Sequence, residues 1–127
     1  MGSAYVDTSC LISIAFEEKD YAALARRLNS FDAVFSSNLL EAEFLAAFAR
    51  HGREPDRSNL GRVRWIYPER SLRPEITKVL AEGYARGADC WHLANALYFA
   101  AEEPSSIAFL TLDSRQRTIA RALGFGE

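Results

Sequence analysis

The chain has 127 residues, of which 49% are hydrophobic, and its 15 lysine and arginine residues nearly balance 17 aspartate and glutamate residues. That length and apolar content predict one compact domain over residues 1–127 and leave no room for a second. The longest strongly apolar run, residues 91–101, is too short to span a bilayer. The first residues lack the basic segment and long apolar core of a secretory signal, so we expect a cytoplasmic protein.

Cysteine and arginine usage narrows the possible functions. Cys10 and Cys90 lie in neither a CxxC nor a zinc-binding spacing, so we expect two small buried side chains. Thirteen of the cations are arginine, and seven of them fall in the middle of the chain: Arg50, Arg53, Arg57, Arg62, Arg64, Arg70 and Arg73. Arginine binds phosphate in a bidentate manner, so a polyanionic substrate is compatible with the acidic total. From this feature alone, a solvated arginine-rich surface is the favoured interpretation.

The first half of the chain predicts two turns from a strand into a helix. The expected elements are a strand over 4–6, helices over about 8–16 and 21–28, a strand over 33–35 and a helix over 39–50. The first strand ends at Asp7, and Thr8 or Ser9 is expected to cap the helix that follows. Ser36 or Ser37 is expected to cap the helix over 39–50 in the same way.

The second half predicts a similar alternation of helices and strands. The expected elements are a short helix over 55–65, a strand over 66–67, helices over 74–86 and 89–101, a loop over 104–106, a strand over 107–112 and a helix over 115–123. Gly87 is expected to end the first of the two long helices. Strands separated by helices predict a three-layer α/β/α sandwich with a short, mostly parallel central sheet.

Four acidic residues stand at the ends of apolar segments: Asp7 in AYVDTS, Glu43 in SSNLLEAEF, Asp89 in RGADCWHLANAL and Asp113 in IAFLTLDSR. In an open parallel sheet the functional crevice lies beyond the carboxyl ends of the strands, so these side chains can converge there. Glu41 competes with Glu43, but two residues along a helix differ by about 200° and only one can face the crevice. Carboxylates clustered without His or Cys select Mg²⁺ or Mn²⁺, ions that promote phosphoryl displacement by water.

The segments YVDTSCLI, SSNLLEAEF, DCWHLANAL and FLTLDSR together resemble the four motifs of the PIN-domain nucleases. Within that family they are most similar to the VapC-type ribonuclease toxins of prokaryotic toxin–antitoxin pairs. The resemblance covers nearly the whole chain and favours Glu43 over Glu41. It implies a catalytic, Mg²⁺- or Mn²⁺-binding cluster formed by Asp7, Glu43, Asp89 and Asp113, supported through hydrogen bonds by Ser9 and Thr111.

The same resemblance implies a metal-dependent endoribonuclease that acts on RNA as the toxin of a VapBC-type pair. Its expected protein partners are a VapB-like antitoxin and a second copy of the chain. The family usually continues beyond the last helix into another short strand, whereas this chain ends in GFGE, so we expect that edge strand to be missing or very short. Some members carry a further acid where this chain has Gln116, which leaves open whether one or two ions bind.

Other functions remain as alternatives. The domain could be a housekeeping PIN nuclease, or a catalytically idle PIN domain that binds RNA or protein. A small phosphatase with Asp7 as nucleophile is disfavoured, because Ser9 stands where the haloacid-dehalogenase pattern requires a second acid. A phospho-receiver is disfavoured too, because Arg115 follows the last strand where a lysine is needed.

Several conspicuous side chains are interpreted as packing residues. His92 is expected to be a packed histidine bonded to the backbone rather than a general base. The aromatic and aliphatic residues of the same predicted helix are expected in the core or an interface: Trp91, Leu93, Leu97, Tyr98 and Phe99. Trp65 and Tyr67, near the central arginines, are better candidates for stacking on nucleotides, but packing is the favoured interpretation for these two as well.

Overall fold

A computed structural model describes residues 2–127; Met1, which the predicted domain includes, lies outside the described residues. The strands are β1 (Ser3–Val6), β2 (Ala33–Ser37), β3 (Val63–Ile66) and β4 (Ile107–Leu110). The helices are α1 (Thr8–Ala15), α2 (Tyr21–Asn29), α3 (Leu39–Arg50), α4 (Arg73–Glu82), α5 (Gly87–Ala100) and α6 (Ser114–Ala122). Two short 3₁₀ turns, Arg57–Leu60 and Pro104–Ser106, complete the elements of the described chain.

The strands of residues 2–127 form one parallel sheet in the order β3-β2-β1-β4. In the centre, Ala4 of β1 is aligned with Val34 of β2 on one side and with Ala108 of β4 on the other. Because all pairs are parallel, the carboxyl ends of the strands meet at one edge of the sheet. The predicted parallel sheet is confirmed, and the segment after each strand begins at that edge.

Helices cover both faces of the sheet. Successive residues of a strand point to opposite faces, and β1 follows this rule. Ala4 and Val6 pack in the cluster that includes residues of α1, α2 and α3, while Tyr5 packs in the cluster that includes residues of α4, α5 and α6. The predicted three-layer α/β/α architecture is therefore confirmed. No helix among residues 2–127 is both long and apolar enough to cross a membrane.

The segment around β3 differs from the prediction. The short helix expected over 55–65 is reduced to the 3₁₀ turn, and the strand expected over 66–67 is β3, which ends at Ile66. The side chain of Asp56 accepts hydrogen bonds from the backbone nitrogen and the hydroxyl of Ser58, at 3.0 and 2.6 Å. This cap starts only one short turn, after which the chain extends and pairs with β2.

The boundary between α4 and α5 also differs from the prediction. Helix α4 ends at Glu82 rather than near residue 86, and Gly83 leaves the helix in an extended conformation. Gly87, expected to terminate α4, is instead the first residue of α5. Asp89 is the third residue of α5 and lies in its first turn, as predicted.

The last described residues make a minimal addition to the sheet edge. Gly126 forms one parallel bridge with Ala108. Its nitrogen donates to the oxygen of Ile107, and its oxygen accepts from the nitrogen of Phe109, each over 2.9 Å. The expected shortness of the last edge strand is confirmed, since within residues 2–127 a single bridge stands in its place.

Candidate functional site

The four predicted acids line one cavity of about 660 Å³. Asp7 follows β1 and Asp113 precedes α6, while Glu43 and Asp89 lie in the early turns of α3 and α5. Glu43 faces this cavity, whereas Glu41 is exposed elsewhere on α3. The other lining residues are Thr8, Ser9, Ile12, Ala46, Ala47, Arg50, His51 and Arg86.

Asp7 is buried and caps α1 with its own side chain. Its Oδ2 accepts from the hydroxyl of Ser9 over 2.8 Å and from the backbone nitrogen of Ser9 over 3.4 Å. The hydroxyl of Thr111 lies 3.2 Å from the same oxygen. The predicted cap by Thr8 or Ser9 is wrong, because the carboxylate one position earlier takes that role. The two hydroxyl residues named as supports both reach Asp7.

Glu43 is bound by two side chains. Its Oε1 lies 2.8 Å from Nε2 of His92 and accepts from the hydroxyl of Thr8 over 2.7 Å. The hydrogen bond from His92 is the main cause that lowers the pKa of Glu43; burial opposes it, and the Thr8 hydrogen bond adds to it. Glu43 is therefore held as a carboxylate at the cavity wall.

His92 is buried and connects the cavity to the core. Its Nδ1 lies 2.6 Å from the hydroxyl of Tyr5, and that hydroxyl accepts from the backbone nitrogen of Ser37 over 3.1 Å. Because the Glu43 carboxylate can only accept, Nε2 is the nitrogen that donates to it, and the hydroxyl of Tyr5 can donate its own proton to Nδ1. The packing predicted for His92 is confirmed, but its partners are side chains rather than the backbone.

Sequence reasoning did not find Tyr5 and Thr8 as contributors to the site. Both flank Asp7, and Tyr5 lies two residues before it along β1, on the same side of the strand. Polar atoms of this kind beside a strand-end acid are the signal that could have identified them.

The pKa of Asp89 is shifted by its burial and by the neighbouring carboxylates. Burial, followed by the carboxylates of Asp7 and Asp113, raises the pKa of Asp89, while Arg86 opposes this effect. The Nε of Arg86 lies 3.9 Å from Oδ2 of Asp89, a loose ion pair on an exposed arginine. Asp89 therefore lies close enough to the carboxylates of Asp7 and Asp113 to be repelled by both.

Gln116 links three parts of the site from a buried position. Its Oε1 accepts from the hydroxyl of Thr111 over 2.7 Å, and its Nε2 donates to the backbone oxygen of Asp89 over 3.3 Å. Its backbone nitrogen donates to Oδ1 of Asp113 over 2.9 Å, which caps α6. The residue at which some relatives have an acid is, in this chain, a packed connection between α5, α6 and the end of β4.

The donors of the cavity have the chemistry that a hard divalent cation requires. The predicted ligands offer carboxylate oxygens only, and their mutual repulsion is of the kind that a cation relieves. Among residues 2–127, no three His, Cys, Asp or Glu side chains are arranged, as they stand, to enclose a metal ion. The carboxylate oxygens of the cavity are nevertheless the type of donor that fits Mg²⁺ or Mn²⁺.

The remaining predicted packing residues follow the expectation with one exception. Leu93 and Leu97 are buried, Trp91, Tyr98 and Phe99 are partly buried against the same cluster, and both cysteines are buried. Trp65 is partly buried against the opposite cluster, so packing is confirmed for it as well. The packing interpretation is wrong for Tyr67, whose side chain is exposed.

The arrangement defines a class: a parallel α/β domain, covered on both faces, with its acids gathered beyond the strand ends. The family model of the PIN domain matches residues 4–122, and the chain belongs to that family. PIN domains are generally metal-dependent nucleases that act on RNA or DNA. No curated protein and no solved structure gives a significant match to the chain.

Proposed function

We propose that residues 1–127 form a single PIN-like domain that acts as a metal-dependent endoribonuclease, in the cytoplasm, as the toxin of a VapBC-type pair. The observation that supports this most is the gathering of Asp7, Glu43, Asp89 and Asp113 in one cavity of a PIN domain. These acids are proposed as the catalytic residues and as the ligands of Mg²⁺ or Mn²⁺.

The carboxylates are positioned before any substrate arrives. Ser9 donates to one oxygen of Asp7, which also lies 3.2 Å from the hydroxyl of Thr111, and His92 with Thr8 fixes one oxygen of Glu43. A bound Mg²⁺ or Mn²⁺ would supply a water of lowered pKa and neutralise charge on the phosphodiester. The preset carboxylate orientations reduce the reorganisation needed when the reaction begins.

Cationic side chains at the cavity can hold the RNA backbone. Arg50 is the last residue of α3, and Arg86 precedes α5. Other arginines of the chain serve the fold: Arg62 donates to the backbone oxygens of Leu28 and Phe31. We propose that Arg50 and Arg86 contact the phosphates on either side of the bond that is cut.

Two protein partners belong to the proposal. A VapB-like antitoxin would occupy the acidic cavity through a basic side chain. A second copy of the chain would pack on α3, whose exposed positions include the small residues Ala42, Ala46 and Ala49.

Two genetic observations test the toxin assignment. A small upstream gene that encodes a DNA-binding protein would support it. Growth that is unaffected by expression of the chain alone would favour a housekeeping nuclease.

A matched pair of glutamate variants tests the nuclease assignment. Glu43→Gln should lower cleavage of single-stranded RNA in Mg²⁺ by about 100-fold or more, because it removes a carboxylate from the cluster. Glu41→Gln changes the same residue type on the exposed part of the same helix and should retain full activity. Asp7→Asn and Asp89→Asn should behave like Glu43→Gln, and full activity in any of these three would contradict the proposal.

Metal binding separates the nuclease from an idle PIN domain. Calorimetric titration of the purified protein with Mn²⁺ or Mg²⁺ should show binding that Asp7→Asn weakens. Absence of binding at millimolar concentration, together with absence of RNA cleavage, would favour the idle domain.

A further inference from the structure

An exposed aromatic ring with a guanidinium beside it stands in the loop that leads into α5, the helix of Asp89. The side chain of Tyr84 is 67% exposed, and the guanidinium carbon of Arg115 lies 5.7 Å from the centre of its ring. We propose that Tyr84 and Arg115 form a nucleobase-stacking platform for the nucleotide that flanks the cleavage position. This inference rests on the proposed nuclease function and assigns the site that receives its single-stranded substrate.

The platform is connected to the acids by very short segments. Tyr84 lies in the loop between α4 and α5, two residues before Arg86 and five before Asp89. Arg115 lies two residues after Asp113. A nucleotide bound between the two segments would be the neighbour of one whose phosphate enters the cavity.

The loop that carries Tyr84 is held in place by α6. A Cβ atom added to Gly83 would lie only 3.3 Å from Cγ1 of Ile119, so the backbone of the loop passes close to that helix. The two segments border an open depression of about 380 Å³, lined by Glu82, Gly83, Tyr84, Ser114, Arg115, Thr118 and Ile119. The ring of Tyr84 is thus exposed on a defined surface rather than on a loop tip distant from the body.

The chemistry of the pair suits single-stranded RNA. Every nucleobase has a π face, so stacking on a tyrosine ring binds a base with little regard to its identity. The guanidinium of Arg115 can bind the adjoining phosphate while it stays close to the ring. An anionic backbone that approaches Asp89 and Asp113 meets repulsion, and the positive charge of Arg115, in the first turn of the helix that Asp113 caps, offsets part of it.

Binding to RNA tests the platform independently of cleavage. The probe is a short single-stranded oligoribonucleotide that contains 2-aminopurine, titrated in Mg²⁺ into the Asp7→Asn protein to prevent cutting. Added to that background, Tyr84→Leu should weaken binding about 10-fold and reduce the fluorescence change, whereas Tyr84→Phe should bind normally. Arg115→Ala should weaken binding and lower the salt dependence by about one phosphate contact.

Tyr67→Leu is the matched control, since Tyr67 is 64% exposed but follows β3, the strand at the far side of the sheet from β4. It should bind the probe as the background protein does. Thermal melts should be unchanged in both leucine variants, because neither ring is buried.

The outcomes separate this inference from the nuclease assignment. If the unmutated protein cuts RNA and Tyr84→Leu leaves both affinity and cleavage unchanged, the platform is wrong and the nuclease stands. Stacking at this position would also be overturned if Tyr84→Leu and Tyr67→Leu lost the same affinity for the probe. The same holds if Tyr84→Phe lost as much affinity as Tyr84→Leu. A protein that neither cuts nor binds RNA would overturn both proposals.

Discussion

Nε2 of His92 lies 2.8 Å from Oε1 of Glu43, and Nδ1 of the same ring lies 2.6 Å from the hydroxyl of Tyr5. One buried imidazole therefore connects a carboxylate of the cavity to the central strand. Burial, as the main cause, raises the pKa of Tyr5 well above its usual value, so the phenol keeps its proton at any ordinary pH. The orientation of Glu43 depends on a core residue that never contacts the cavity itself.

Tyr5→Phe should destabilise the fold by about 1–3 kcal/mol, because it leaves Nδ1 of His92 and the backbone nitrogen of Ser37 without their partner. Urea unfolding monitored by circular dichroism measures the change. Tyr98→Phe is the control: the Tyr98 hydroxyl accepts only a long 3.3 Å hydrogen bond near the surface, and its loss should cost less than about 0.5 kcal/mol. A similar loss in the free energy of unfolding for the two variants would contradict the role of the Tyr5 hydroxyl.

The sequence was sufficient to predict that Asp7 and Asp113 lie at one edge of the sheet, because each follows an apolar strand, whereas the choice of Glu43 over Glu41 needed the resemblance to the family. Asp7 and Asp113 follow strands that are buried along nearly their whole length, and such runs are visible without a structure. The hydrogen bonds that orient the acids were not predictable in the same way. Tyr5 and His92 are 87 positions apart in the chain, and no local pattern indicates that their side chains meet.

The predicted boundaries of the helices and strands were wrong where two sequence signals competed. Gly83 and Gly87 both stand near the end of α4, and each could terminate a helix, so the sequence alone did not decide between them. Strand β3 was predicted over 66–67 rather than over Val63–Ile66, because it lies at the edge of the sheet and buries only Val63 and Ile66, a pattern without period-two alternation.

Asp89→Asn should stabilise the metal-free protein slightly at neutral pH. The raised pKa of Asp89 means that its ionised form is less favourable in the folded than in the unfolded chain. This cost of ionising Asp89 in the folded protein is absent below the usual pKa of aspartate, about 3.9. It reaches its full size once the pH exceeds the raised pKa of Asp89 in the folded protein. Asp89 is partly solvated, so we expect a gain of only a few tenths of a kcal/mol.

Thermal melts between pH 3 and pH 7 check this effect. The variant and the unmutated protein should melt alike at pH 3 and diverge as the pH rises, with the variant higher. Added Mg²⁺ should stabilise the unmutated protein more than the variant, which lacks one proposed ligand. A variant that is less stable at pH 7 in the absence of metal would contradict the repulsion among the carboxylates.

Both cysteines should be unreactive in the folded protein. Burial, followed by the nearby charge of Asp7, raises the pKa of Cys10 to about 12, and burial also raises the pKa of Cys90. Thiolate is the reactive form, so at pH 8 a thiol reagent such as Ellman's reagent should label neither residue within minutes. The same reagent in denaturant should label both, and rapid labelling of the native protein would contradict the burial of the two thiols.

Gln116→Met should destabilise the protein by about 1–2 kcal/mol while preserving the volume of the side chain. The substitution removes the acceptor for the hydroxyl of Thr111 and the donor to the backbone oxygen of Asp89, both in a buried region. Thr118→Val on the same helix removes an exposed hydrogen bond to the oxygen of Ser114 and should change stability by less than about 0.5 kcal/mol. Because Gln116 also ties the end of β4 to α5, its loss should weaken Mn²⁺ binding measured by calorimetry, whereas Thr118→Val should not. Unchanged Mn²⁺ affinity in a destabilised Gln116→Met protein would restrict Gln116 to a purely structural role.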